Sequence, residues 1–180
     1  MAKTGLSVDF KQALKALDSL AEASKSHLSR SMAVATGKVL RDEAKVRAPV
    51  FDGSTALAGG ANAIKPPRPG ALREAIYLAF SDNRSSPSDG RFVYSVSWNS
   101  STAPHGHLLE FGHWRYNEIH PGGFPTKKPL DSPQWVAAIP FLRPAHDAAV
   151  DRAMRAGLER GKERATELLA DPSLLEGFGA

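Results

Sequence analysis

The sequence predicts an α+β protein, in which a long N-terminal helix and a C-terminal helix flank a small antiparallel sheet of three to four strands. Three observations lead to this fold class: a proline-free stretch with helical spacing, two alternating segments in the middle, and a second helical stretch near the end. A length of 180 residues suits one domain. We expect it to comprise a helix (1–48), a loop (49–71), a sheet with a second loop (72–139), a helix (140–170) and a tail (171–180).

The first helix is predicted from residues 9–47, which contain no proline and one glycine, Gly37. Their apolar residues recur mostly every three or four positions, which is the period of an amphipathic helix. Ser7 or Asp9 can cap its start, and Pro49 forces its end. The segment forms either one long helix or two helices joined near Gly37.

A loop and a hairpin follow. Residues 49–71 hold eight prolines and glycines, which predicts a loop of over twenty residues. Residues 72–81 and 91–99 alternate along the chain as strands do. The residues between them, 82–90, are rich in turn formers, so the two strands are expected to form a hairpin with a long tip.

The last helix is predicted over residues 140–170, after a second proline- and glycine-rich loop at 114–133 and a third strand at 134–139. Pro144 is tolerable in its first turn, and Pro172 lies beyond its end. Its apolar side would contain Leu142, Ala145, Ala149, Met154, Leu158, Leu168 and Leu169.

The charge balance argues against a dedicated duplex-DNA binder. The chain has 23 Lys and Arg against 19 Asp and Glu, a net charge of +4, whereas such binders carry a denser basic face. Residues 1–50 hold nine basic and five acidic side chains, and the rest of the chain is balanced. This segment is therefore either a solvated helix face or a surface for nucleic acid or an acidic partner.

Several classes of protein are excluded by composition. Cysteine is absent, which excludes disulfides, thiolate zinc sites and cysteine nucleophiles. No stretch approaches the roughly 20 apolar residues of a membrane span, and the start lacks the apolar core of a signal peptide. We expect a protein made in the cytoplasm, without membrane contact.

A histidine-rich segment is the strongest candidate for metal chemistry, with His105, His107, Glu110, His113 and His120. Three imidazoles and a carboxylate would suit zinc or iron. A proline and two glycines interrupt the segment, so polar residues bordering a loop are the favoured interpretation. A metal-dependent enzyme is an alternative. Because no nucleophile elbow or phosphate-binding loop occurs either, we predict no catalytic residue, no metal and no cofactor.

Four aromatic residues of the predicted hairpin, Phe80, Phe92, Tyr94 and Trp98, would suit a base-stacking platform. Few basic residues lie among them, although nucleic-acid stacking surfaces require such residues. They are better interpreted as the inner face of the hairpin against two helices. A nucleic-acid-binding protein that uses the first helix is the other alternative function.

Three blocks of the sequence resemble a known pattern. The long helix ends in Ala-Pro at 48–49, and Gly-Ala-Leu-Arg at 70–73 resumes the chain after the loop. Glu-Phe-Gly follows at 110–112, and Pro-Phe-Leu-Arg-Pro-Ala at 140–145 opens the last helix. In this order the blocks resemble the neck family of long-tailed bacteriophages, which joins head and tail and is also called tail-completion or minor tail protein. The chain departs from the family in its longer first loop and in His113, where threonine is common.

The resemblance implies a non-enzymatic virion protein that forms a homo-oligomeric ring at the head–tail junction. The ring would join the neck or connector to the tail terminator or tail tube, and packaged DNA would pass without sequence-specific contact. The residues expected to be structural or to lie at interfaces are Pro49, Leu72, Arg73, Glu110, Phe111, Gly112, Pro140, Phe141, Leu142, Arg143 and Pro144. Those expected to face the DNA channel or a partner are Lys11, Lys15, Lys25 and Arg30.

Glu110 and Arg143 are the charged residues within two otherwise apolar blocks. Arginine offers a carboxylate two parallel hydrogen bonds. We therefore predict a Glu110–Arg143 contact, in one subunit or across two, that ties the central block to the last helix.

Overall fold

The computed structural model describes residues 11–50, 68–119, 125–171 and 174, and within them the α+β class is confirmed. The elements are α1 (Lys11–Arg47), α2 (Ala71–Ala75), β1 (Ile76–Phe80), β2 (Tyr94–Trp98), α3 (Gly106–Phe111), β3 (His113–Ile119), β4 (Pro125–Val136) and α4 (Leu142–Ala170). The described strands form two two-stranded sheets, β1–β2 and β3–β4, instead of one sheet of three to four strands.

The chain divides into two compact units. Among the described residues, unit 1 contains those up to Thr36, Phe80–Tyr94 and those from Met154 onward. Unit 2 contains Gly37–Ala79 and Ser95–Ala153. Each long helix therefore contributes residues to both units.

Helix α1 is continuous, so of the two predicted alternatives the single long helix is confirmed. It ends at Arg47, two residues before Pro49, as predicted. The proposed caps Ser7 and Asp9 lie outside the described residues. Gly37 is a close-contact position: a Cβ there would lie 2.6 Å from Cδ1 of Leu78.

The prediction of a strand over 72–81 is wrong in its first half. Residues Ala71–Ala75 form the short helix α2, since alanine, leucine, arginine and glutamate are all strong helix formers. The rest forms β1, which pairs with β2. The long tip of this hairpin is confirmed and contains two 3-10 turns, Asp82–Arg84 and Pro87–Asp89. Of the predicted 49–71 loop, residues 51–67 lie outside the described part of the chain.

The predicted loop at 114–133 is wrong, because most of it forms the antiparallel hairpin of β3 and β4. The loop was predicted from its prolines and glycines, but three of these prolines lie within β4: Pro125, Pro129 and Pro133. In a two-stranded sheet each strand is an edge strand, and edges and bulges are the places where proline is tolerated. The pairing register shifts at Pro129: Arg115 pairs with Gln134, but Asn117, two residues further along β3, pairs with Pro129, five residues away on β4. This shift marks a bulge or similar irregularity.

The core of unit 2 is built from small residues around two large ones. Phe141 and Ile76 are its largest fully buried side chains. Around them lie Ala44, Ala48, Leu72, Ala75, Ala103 and Ala145. Trp98 packs against this cluster and meets the Phe141 ring edge-on, with ring centroids 5.9 Å apart. Alanines let the backbones approach closely enough for two large side chains to fill the interior.

The predicted apolar side of the last helix is wrong at three positions, because Met154, Leu158 and Leu169 are exposed. The buried side of α4 instead carries a small residue every four positions, followed by Leu168: Ala145, Ala149, Ala153, Gly157 and Gly161. A row at this spacing follows one face of a helix. None of the described helices is long and apolar enough to cross a bilayer.

Within unit 1 the two glycines of this row bring α4 close to α1. A Cβ at Gly157 would overlap Oγ1 of Thr36, and one at Gly161 would lie 2.8 Å from Sδ of Met32. Arg160 and Arg164 bind the Glu167 carboxylate and lower its pKa to about 2.

Within unit 2 the corresponding link between the helices is ionic. Arg152 on α4 and Arg47 on α1 each place a guanidinium nitrogen 2.8 Å from the Glu43 carboxylate. These two partners, Arg152 first, hold the pKa of Glu43 below its ordinary value. The long helices are therefore joined by close packing in one unit and by an ion-pair triad in the other.

Replacing Gly157 by leucine tests the close packing in unit 1. Gly157→Leu is expected to lower the free energy of unfolding by about 1–3 kcal/mol, because the new side chain has no room beside Thr36. Ala148→Leu, at an exposed position of α4, is the matched control and should change it by less than about 0.5 kcal/mol. Urea unfolding measures both; equal effects would contradict the close packing.

Candidate functional site

The three blocks that carry the family resemblance meet within unit 2. Ala48 from the end of α1, Leu72 from α2 and Phe141 from the start of α4 belong to one buried cluster. Leu109, beside the Glu-Phe-Gly block on α3, packs against it. Residues far apart in sequence therefore share one core, and the contacts at its edge define the candidate site.

The centre of the site is the carboxylate of Glu110 on α3, which is 8% exposed. It accepts hydrogen bonds from three consecutive backbone amides: Phe141 at 2.8 Å and Leu142 at 3.0 Å on Oε2, and Arg143 at 3.3 Å on Oε1. These amides are at the first turn of α4, where a helix has unpaired N–H groups and a partial positive charge. We call this group of four residues the α4 anchor.

The anchor accounts for every amide at the start of α4. Pro144 has no N–H group, and the Ala145 amide already donates to the carbonyl of Phe141 at 3.2 Å within the helix. The amides before Pro144 are the ones bound by Glu110. The Pro-Phe-Leu-Arg-Pro-Ala block thus supplies a buried phenylalanine, three donor amides and a proline where no donor is needed.

The predicted ion pair between Glu110 and Arg143 is wrong within this chain. The two residues do contact each other, but the carboxylate binds the backbone amide of Arg143, and no ion pair of the described residues joins their side chains. The Arg143 residue is exposed. Backbone amides bind the carboxylate in place of the guanidinium. They are already held in position by the start of the helix, so no long side chain has to lose conformational freedom.

Gly112 fixes the chain between the anchor and β3. Its φ of 73° and ψ of 175° lie in a region that is essentially restricted to glycine. A Cβ there would also lie 2.7 Å from Cζ2 of Trp135 and 2.8 Å from the carbonyl oxygen of Val136. Close by, the Ile139 amide donates to the carbonyl of Leu109 at 2.7 Å. The Glu-Phe-Gly block therefore combines the cap, an exposed Phe111 and a turn that only glycine can make.

The first block is tied by a weaker contact. The Arg73 guanidinium donates a long hydrogen bond of 3.5 Å to the carbonyl of Ala48, just past the end of α1. A cation beside helix C-terminal carbonyls is favourable. Leu72, its neighbour, is buried in the core, and Pro49 is half-buried.

Sequence reasoning missed the aromatic residues of the β3–β4 hairpin. Trp114 on β3 pairs with Trp135 on β4, with ring centroids 5.4 Å apart and edge-to-face. Both are 53% exposed, and Tyr116 on the same side of β3 is 61% exposed. The alternation of Trp114 and Tyr116 is the signal that would have predicted this strand.

The metal alternative does not gain a ligand set from the structure. Among the described residues, no group of three or more histidines and carboxylates is arranged to hold a metal ion. His120 lies outside them. Glu110, the only carboxylate of the predicted cluster, is bound to backbone amides, and burial lowers the pKa of His105.

The basic residues of α1 are spread among different environments. Lys25 lies 3.9 Å from the Glu22 carboxylate, and its alkyl chain borders Gly90 in unit 1. Arg30 is exposed but makes an interaction. Lys11 and Lys15 lie on α1, and their side chains fall outside the described part of the chain. Of the four residues expected to face a channel or partner, the structure therefore describes the side chains of Lys25 and Arg30.

Comparisons with protein-family models, with curated proteins and with solved structures found no match for this chain. The site is therefore interpreted from its own residues and contacts. The α4 anchor has a structural role, and the β3–β4 hairpin exposes tryptophan and tyrosine side chains, residue types that are enriched at protein interfaces.

Removing the Glu110 carboxylate tests the α4 anchor. Glu110→Ala is expected to lower the free energy of unfolding by about 2–4 kcal/mol, because three amides lose their acceptor in a buried place. Arg143→Ala should change it by less than about 0.5 kcal/mol, since only its backbone takes part. Glu159→Ala, at an exposed glutamate of α4, is the control. Equal losses for Glu110→Ala and Arg143→Ala would favour the ion pair instead.

Two glycines with positive φ differ in the space around them and in their ψ angles. Gly70 and Gly112 both have positive φ, but a Cβ at Gly70 has nothing within 4 Å. Gly70→Ala should therefore cost about 1–2 kcal/mol from backbone strain alone. Gly112→Ala should cost about 3–5 kcal/mol, because overlap with Trp135 and Val136 adds to the strain. Thermal unfolding of both variants measures the difference, and similar costs would contradict the close contacts.

Proposed function

We propose that this chain is a virion structural protein of a tailed bacteriophage, which forms a homo-oligomeric ring at the head–tail junction. The ring joins the neck or connector to the tail terminator or tail tube. The resemblance of the three blocks to the neck family is the source of this proposal.

One observation supports it most directly: the blocks that carry the resemblance contact each other through the α4 anchor. The Glu-Phe-Gly block provides the carboxylate, and the Pro-Phe-Leu-Arg-Pro-Ala block provides the three amides, at 2.8–3.3 Å. Residues 31–33 positions apart thus depend on each other. The glutamate and glycine of one block and the buried phenylalanine and second proline of the other therefore each have a structural role, which supports the proposal.

The surface of unit 2 also fits an assembly subunit. Phe111, Tyr116 and Ile139 are each more than half exposed, as are Trp114 and Trp135. Several large exposed apolar side chains within one short stretch of chain are typical of interaction sites. In the proposed ring, these exposed side chains are covered by neighbouring subunits and by the next ring.

Electron microscopy and mass determination of the purified chain test the proposal. We expect rings with an axial channel, either from the protein alone or after addition to tails purified without it. Glu110→Ala, in which the α4 anchor is broken, should join tails less efficiently than the unchanged protein. A protein that stays monomeric at all concentrations and never binds tails or connectors would contradict the proposal.

A further inference from the structure

Strand β3 turns its aromatic side chains toward solvent and its polar side chains toward the protein. Along β3, Trp114, Tyr116 and Glu118 are exposed, whereas His113, Arg115 and Asn117 between them are half-buried. A strand of a small sheet normally turns its apolar side inward and its polar side to water. We call Trp114, Tyr116 and Glu118 the hairpin row.

Helix α4 carries a second uncovered apolar surface. Met154 and Leu158 are 56% and 53% exposed, and Leu169 is 84% exposed. Met154, Leu158 and Lys162 are spaced four residues apart, so they lie on one face of the helix. We call Met154, Leu158 and Lys162 the helix row. It lies on the side of α4 that the close packing with α1 leaves open.

The two rows match in length and in order. The hairpin row extends over four strand steps, about 13 Å, and the helix row over eight helical steps, about 12 Å. Each consists of two apolar residues followed by one charged residue, and the charges are opposite. Neither Glu118 nor Lys162 takes part in an ion pair of the described residues. Methionine against aromatic rings is a favourable contact.

We propose that the hairpin row of one copy docks on the helix row of the next copy of the same chain. Trp114 and Tyr116 then cover Met154 and Leu158, and Glu118 meets Lys162. Docking of two hairpin rows on each other would leave the helix row in water and would leave both Glu118 charges without a cation. The contact between rows is therefore heterologous, the type that generates rings and filaments. This inference rests on the proposed ring function and assigns its subunit interface.

The absence of cysteine in the chain allows a direct test. Tyr116→Cys and Leu158→Cys are prepared separately, and each is treated with a short thiol–thiol cross-linker alone and after mixing. The oligomeric fraction of the mixture should give a yield of covalent dimers at least tenfold higher than that of either variant alone. The double variant should give a ladder of multimers. Glu163→Cys, an exposed position on the other side of α4, replaces Leu158→Cys in the control and should not cross-link with Tyr116→Cys.

A charge exchange supplies a second readout. Glu118→Lys and Lys162→Glu should each raise the dissociation constant of the oligomer about fivefold or more, and the combination should restore it, because the pair is re-formed with reversed sign. Sedimentation measures all three.

The outcomes separate this inference from the proposed function. Rings in which the mixture does not cross-link, or in which Tyr116→Cys cross-links with itself, would overturn the assigned interface and leave the ring function standing. A protein without any oligomeric fraction, alone or on tails, would overturn both.

Discussion

A single carboxylate that serves three backbone amides is the contact on which unit 2 depends. Glu110 is nearly buried, and a buried charge is costly unless it is fully hydrogen-bonded. The start of α4 provides that environment, because its amides and its dipole both favour a negative group. In return the helix gains a cap from a distant part of the chain, and Phe141, whose amide is one of the three donors, is held in the core. Cap, core and the turn at Gly112 therefore form one cooperative structure.

Much of this fold was predictable, because it depends on local rules. Pro49 ends α1, Pro144 marks the first turn of α4, and the turn-rich segment around residue 87 forms the long hairpin tip. A contact between residues 110 and 143 was predictable as well. The interacting group on Arg143 was not predictable from residue types, since every residue except proline carries a backbone amide and the sequence does not show which amides lack a partner.

Two features escaped sequence reasoning for physical reasons. The buried side of α4 is its row of alanines and glycines, whereas a hydropathy pattern selects the larger Met154 and Leu158. Helices that approach closely need small residues between them, so size, not hydropathy, decides which side is buried. The β3–β4 hairpin was missed because its aromatic residues face outward and three prolines interrupt its second strand. A strand with outward-facing aromatic residues does not follow the inside–outside pattern from which strands are predicted.

The prolines of β4 also bear on whether the sheet can be extended by another strand. A two-stranded sheet with exposed tryptophans presents open edges, and open edges invite strand-by-strand aggregation. Pro125, Pro129 and Pro133 lack the donors that a further strand would need along β4. Growth by sheet extension is therefore hindered along that strand, even though the aromatic residues of the hairpin are exposed.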